Sequence, residues 1–287
     1  MKIWKKIIYN KSNKISQFNS SSRQTVYPEV LGRKSSDWAQ FCKVNEYYLN
    51  KNTFLKNYFK NRFKIWDNYL RKNISKNQKI LSIGSGRAIN ELILIDERYN
   101  IVLSDLDIPE TYEASKKIFD DHIYLKFDVL KHDIQQKFNI IFSLHTFYLF
   151  SESQINLAFK KVNKLLHKDG IFIVDMNTEH NIFSTFYHDF FLKIESTLIY
   201  LISKFFKKNI GIIYDDNFGY KYKRREIIEI AKKNNFELLT VDSIGYNEID
   251  RSYLLKKITK KNDFIRKIIC ILFKSILSHN IYKFKKL

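Results

Sequence analysis

The period of the apolar positions changes along the chain, and each change predicts an element. From residue 37, Trp38, Phe41, Tyr47, Tyr48, Phe54, Tyr58, Phe63, Trp66 and Tyr69 recur at helical spacing, which predicts one or two amphipathic helices over 37–75. Five short apolar runs follow, at 79–83, 101–104, 123–127, 140–143 and 171–175. Helix-like stretches near 88–94, 110–119 and 153–166 separate them, the last with Ser151 or Ser153 available as N-cap. Strands alternating with helices predict a parallel sheet covered on both faces, because parallel strands need crossovers and helices usually provide them. Lys168-Asp169-Gly170 introduces the fifth run as a turn in which glycine takes a positive φ.

Beyond the fifth run, an aromatic helical stretch at 183–206 is followed by a helix at 225–233 and a strand-like alternation at 236–244. Residues 252–258 are expected to form a last strand, antiparallel to its neighbour. Asp263 then caps a basic amphipathic helix through Phe264, Ile268, Ile271, Leu272, Ser275 and Ile276. The expected organisation is a polar arm over 1–36, a helical cap over 37–75, a core domain over 76–258 with a helical lid at about 179–222, and a basic C-terminal helix over 259–287.

Composition narrows the class. A chain of 287 residues that is 45% hydrophobic and 16% aromatic buries one α/β core rather than remaining disordered. The formal charge of +20 attracts phosphates, anionic membranes and acidic substrates, but the abundance of Lys, Asn, Ile, Phe and Tyr also matches an AT-rich coding bias. Cys42 and Cys270 are too few for a disulfide framework or a thiolate zinc site, so no metal is expected and a reducing cytoplasm fits. MKIWKKIIYNKSNK lacks the apolar run of a signal peptide. The greasiest stretches, 183–206 and 264–277, are broken by charges before the roughly 20 apolar residues that a spanning helix needs.

The chemistry concentrates in KILSIGSGRA, where the first core strand runs into Gly84-Ser85-Gly86 and then a helical stretch. Glycine usually makes up about 7% of a protein, yet this chain has 7 among 287 residues, so a pair at one strand-to-helix turn is informative. Such a turn lets backbone approach a ligand over the strand ends. The second run ends in LSDLD and places Asp105 where a ribose-binding acid belongs, with Asp107 as its neighbour and rival. The third ends in FDVL, which brings Asp128 to the same rim.

Residues 79–176 resemble a class I S-adenosylmethionine-dependent methyltransferase. SIGSG is similar to the first motif, Asp105 to the second, Asp128 to the third, FNIIFSLHTFYLF to the fourth, and LLHKDGIFIV to the turn and fifth strand. REIIEIAKKNNFELLTVDSIG is similar to the family's closing helix and strand. The resemblance implies a Rossmann-like, doubly wound, mostly parallel seven-stranded sheet with helices on both faces, and S-adenosyl-L-methionine as cofactor. By position it implies a binding set of Ser82, Gly84, Ser85, Gly86, Asp105, Leu106, Asp128, Val129 and Ser143. Gly84 and Gly86 face the methionine part, Asp105 the ribose and Asp128 the adenine. Ser82 stands where the family has Asp or Glu, Ala88 replaces its third glycine, and Asn139 replaces an Asp before the fourth strand. A dinucleotide fingerprint would need glycine where the chain has Ile89.

Methyl transfer is an in-line displacement, and a general base is required only when the nucleophile arrives protonated. His145, with Tyr148 beside it, is the candidate base or substrate contact, against the alternative of a packing or cofactor-lining histidine. His180 is a further candidate. Ser143-Leu144-His145-Thr146 is not the motif of exocyclic-amine DNA methylases, and no cysteine sits there for cytosine chemistry. The expected acceptor is therefore a hydroxyl or amine of a small molecule, sugar or lipid-linked intermediate rather than nucleic acid. The C-terminal helix, with Arg266, Lys267, Lys274, Lys283, Lys285 and Lys286, suits peripheral contact with an anionic membrane. The competing reading is a non-catalytic RNA- or anionic-surface-binding protein on a decayed methyltransferase fold.

Overall fold

The computed structural model describes residues 63–86, 88, 90–109, 111–177, 186–205, 222–243 and 279–287, with isolated positions at 52, 254, 255, 258, 264, 265, 268 and 269. Helix α1 (Phe63–Asn73) lies in the expected cap, and the arm over 1–36 lies outside the described residues. The core then runs β1 (Ile80–Ile83), α2 (Leu92–Asp96), β2 (Ile101–Asp105), α3 (Thr111–Phe119), β3 (Ile123–Lys126), β4 (Phe138–Ser143), a 3-10 turn (Phe147–Leu149), α4 (Glu152–Leu165) and β5 (Leu166–Asn177). A π-helical turn (Phe186–Phe191) leads into α5 (Leu192–Phe205), followed by α6 (Arg224–Lys233), β6 (Phe236–Ser243) and β7 (His279–Lys286).

Seven strands form one sheet in the order β3-β2-β1-β4-β5-β7-β6. The first five are parallel, and β7 lies antiparallel between β5 and β6. The inner strands are apolar on both faces, as strands covered on both sides must be. Ile80, Ile140, Phe142, Ile173 and Ile281 face a cluster with Trp66 and Leu70 of α1 and Leu92 of α2. Leu81, Ile141, Phe172, Val174, Tyr282 and Phe284 face the opposite cluster with Phe159 of α4 and Ile227 of α6.

The chain's end differs from expectation. Residues 279–286, assigned above to a basic helix, form β7, while within 252–258, where a strand was expected, the described positions Leu254, Leu255 and Ile258 are helical. The reason is a period of two in HNIYKFKK, with Ile281 on one face and Tyr282 and Phe284 on the other. The lysines between them leave the core by their stems. Lys283 Nζ donates to Asn73 Oδ1 at 3.1 Å, Lys285 pairs with Asp169 at 2.9 Å, and Lys286 Nζ donates to Asn163 O at 2.7 Å and Leu166 O at 2.9 Å. Lys286 thus satisfies carbonyls at the end of α4, and burial holds its ammonium below the usual lysine range. These three lysines belong to the domain rather than to a membrane-facing tail.

The turn before the fifth core strand is also built differently. Asp169, not Gly170, has the positive φ of 61°. Gly170 is needed for space, since a Cβ there would lie 2.9 Å from the His167 carbonyl oxygen and 3.1 Å from the Leu166 side chain. The three residues form a bulge at the start of β5, where the register slips between Phe138↔Leu166 and Ile140↔Ile171. Helix α2 begins later than the 88–94 pattern suggests because Ala88 takes φ 53°, the left-handed conformation that suits the family's glycine.

Candidate cofactor and active site

Parallel register brings the ends of β1, β2, β4 and β5 to one rim. Ile83 lies beside Ser104, so the turn that follows β1 meets Asp105 at the end of β2. The joint is direct. Gly86 N donates to Asp105 Oδ2 at 2.8 Å, and Leu106 N donates to Asp105 Oδ1 at 2.7 Å. Each carboxylate oxygen keeps a further lone pair for an outside donor. Asp105 is 9% exposed, and burial pushes its carboxyl up to about 6, against the two backbone donors that favour the ion. Asp107 instead pairs with Lys126 at 2.6 Å on the surface.

The two glycines have different reasons. Gly84 (φ 75°) packs against the chain itself, for a Cβ there would fall 2.0 Å from Thr146 Oγ1. Gly86 (φ 54°) has nothing within 4 Å of its Cβ position, so it is the one that leaves open space at the rim. Tyr124 Oη donates to Gly86 O at 2.7 Å and holds that peptide from the β3 side.

The other expected binding residues divide by exposure. Ser82 is buried and donates to Glu91 Oε1 at 2.9 Å. Ser85 is half-buried, and its Oγ lies 3.3 Å from both Ser82 O and Ser104 N. Ser143 is fully buried and donates to Ile83 O at 2.8 Å, so it braces the end of β1 from below the rim. Val129 is buried in the core, and Leu106 is partly exposed beside Asp105. Asp128 is buried, accepting from Leu130 N at 2.8 Å with Lys131 Nζ 3.7 Å away.

Glu91 is a residue the sequence reading missed. It stands at the start of α2, fully enclosed, and burial pushes its carboxyl up to about 7 while Ser82, its own N–H and that of Asn90 favour the ion. A carboxyl group therefore stands next to Ser82, delivered from the helix instead of the strand. In its charged form His145 would also favour the Glu91 ion.

His145 follows β4 with φ 62°, a strained conformation for a residue with a Cβ. Asp175, wholly buried near the end of β5, holds it twice. His145 N donates to Asp175 Oδ1 at 2.6 Å, and His145 Nδ1 lies 3.1 Å from Asp175 Oδ2. Trp66 of α1 meets the imidazole edge-on with centroids 4.9 Å apart, and the ring stays 40% exposed. Tyr148 is buried in the 3-10 turn. His180 lies outside the described residues. Asp175 could have been found as the acid at the expected end of a parallel strand, at the rim already singled out.

No protein-family model and no curated protein matches the chain. Its architecture does match: the chain has the Rossmann-like fold of the class I S-adenosylmethionine-dependent methyltransferases. Two solved structures illustrate the likeness. One is the 1,6-didemethyltoxoflavin-N1-methyltransferase of Burkholderia thailandensis with bound 1,6-didemethyltoxoflavin and S-adenosylhomocysteine, at a TM-score of 0.54 and 11% identity over 97% of each chain. The other is the magnesium protoporphyrin IX methyltransferase of Synechocystis PCC 6803 with bound SAH, at a TM-score of 0.51 and 10% identity, covering 93% of this chain and 99% of that one.

Proposed function

We propose that this protein is an S-adenosylmethionine-dependent methyltransferase acting on a hydroxyl or amine of a small molecule, sugar or lipid-linked intermediate. The observation that carries the reading is the joint between Gly86 and Asp105, where a buried carboxylate is held at 2.8 Å beside a glycine whose Cβ position is open. Those residues fit an adenosyl ligand. Asp105 retains acceptor capacity toward two vicinal hydroxyls, and the bare Gly86 backbone permits close approach. Asp128, at the end of the neighbouring strand, would flank the base, and the Gly84–Gly86 turn the amino-acid part. When bound, S-adenosylmethionine supplies a methyl group on a sulfonium, an electrophile that needs alignment more than acid-base help.

His145 is the proposed base for an acceptor that arrives protonated. An ionised carboxylate only accepts hydrogen bonds, so Asp175 fixes the proton on Nδ1 of the neutral ring and leaves Nε2 as the basic atom. Asp175 acts through His145 and is a positioning residue. The test is calorimetric and thermal-shift titration of the full chain with S-adenosylmethionine and S-adenosylhomocysteine. Saturating ligand at about 100 times Kd should stabilise the fold by about 2.7 kcal/mol. No stabilisation by either compound would refute the reading.

A further inference from the structure

The region after β5 carries an apolar surface that the cofactor site does not use. Phe186, Phe190, Ile194, Leu198, Leu201, Ile202 and Phe205 fall at helical spacing along the π-turn and α5, and each is between 45% and 83% exposed. Phe186 and Phe190 stack on one another at 5.1 Å. The stripe is about 28 Å long at 1.5 Å per residue, and seven large side chains so exposed exceed the few hundred Å² that a monomeric soluble protein ordinarily shows as one patch. Buried Glu195 joins a second piece to it, accepting from Leu254 N at 2.6 Å. The described positions from 254 to 269 are helical, and Leu254, Ile258, Phe264, Ile265 and Ile268 are likewise exposed.

Charge selects the occupant. Residues 251–277 contain eight Lys or Arg and one Asp. A second copy would bring the same positive charge, and residues 1–62 carry 13 Lys or Arg against three Asp or Glu, so neither offers counter-charge. Anionic headgroups do, with acyl chains beneath them for the apolar stripe. Among the described residues no helix is long and apolar enough to cross a membrane. We infer that α5 and the helical positions at 254–269 form a platform that lies in the surface of an anionic lipid bilayer. The stripe begins nine residues after Asn177, within about 30 Å of chain from the rim that carries Asp175. For the acceptor the inference rests on the methyltransferase reading, and it narrows that acceptor to an amphiphile presented at the membrane.

The test is co-sedimentation of the full chain with vesicles of pure phosphatidylcholine, or of seven parts phosphatidylcholine to three of phosphatidylglycerol, over a salt series. A thermal shift with S-adenosylhomocysteine is recorded on the same samples. Binding to the anionic vesicles is expected, at least about tenfold weaker on neutral ones, and at least about tenfold weaker for the double variant Leu198→Glu, Leu201→Glu. That variant should keep the ligand-induced thermal shift of the wild type, which shows that it is folded. Absence of binding to anionic vesicles overturns the platform, as does equal binding by the double variant. A wild-type dimer that the same substitutions dissociate, seen by light scattering, also overturns it and assigns the face to a second copy. Vesicle binding without a thermal shift supports the platform while refuting the cofactor reading.

Discussion

Replacing Asp105 by Asn removes the charge from the residue on which the cofactor reading turns while keeping its size. The carboxylate accepts from Gly86 N at 2.8 Å and Leu106 N at 2.7 Å, so an amide nitrogen in either position faces a backbone donor. Hydrogen bonds to a charged acceptor contribute about 1.5–3 kcal/mol each, and losing acceptance toward two ribose hydroxyls should weaken binding by about 3 kcal/mol, roughly 150-fold in Kd. The pH dependence follows from burial. In the unliganded protein the carboxyl is pushed from an ordinary 3.8 up to about 6, so its proton stabilises the fold. That contribution is complete below about pH 4 and is lost as the pH rises through about 6, with an upper bound near 3 kcal/mol. Ligand binding needs the ionised form and runs the other way. Affinity for S-adenosylhomocysteine should be level above pH 7 and fall about tenfold between pH 7 and pH 5. Calorimetric titration of wild type and Asp105→Asn from pH 5 to 8 reads both effects. A wild-type affinity that is flat across this range, or a variant within twofold of wild type, would refute the assignment.

Three further outcomes separate local roles. Gly84→Ala should destabilise by about 3 kcal/mol, from a strained φ of 75° together with overlap on Thr146 at 2.0 Å, whereas Gly86→Ala should cost about 1 kcal/mol in thermal denaturation and lose cofactor affinity instead. Equal destabilisation by the two would contradict the open space at Gly86. Asp175→Asn should lower kcat about 100-fold and flatten the acid limb of the pH-rate profile while leaving S-adenosylhomocysteine affinity within threefold; an unchanged profile would reduce Asp175 to a packing role. Glu91 carries a carboxyl raised by burial from 4.5 to about 7, so the protein should lose stability as the pH climbs from about 4.5 through 7. Glu91→Gln should make a plot of Tm against pH shallower over that interval, and an unaltered slope would count against the buried charge.

The strand ends were legible because glycine is rare here and acids fall at fixed distances from it: Gly84, Gly86 and Asp105 meet at one rim as their spacing requires. The five parallel strands were legible from short apolar runs, since strands covered on both faces have no polar alternation to obscure them. Glu91 was not, because a lone acid at a helix start reads as an ordinary first-turn residue until Ser82 is seen against it at 2.9 Å. His145 was readable as a candidate but its orientation was not, as Asp175 lies 30 positions away in sequence.

By itself, the order of residues determined the five parallel strands and β6, where the ligand-facing turn lies, and which acid stands beside it, because those depend on period, glycine and spacing within about twenty positions. Only the tertiary structure decided that Gly84 yields to Thr146 while Gly86 faces open space, that a buried acid clamps His145, and that the last basic residues close the sheet as β7. Those outcomes depend on which distant chain packs alongside, a contact energy that no local pattern encodes.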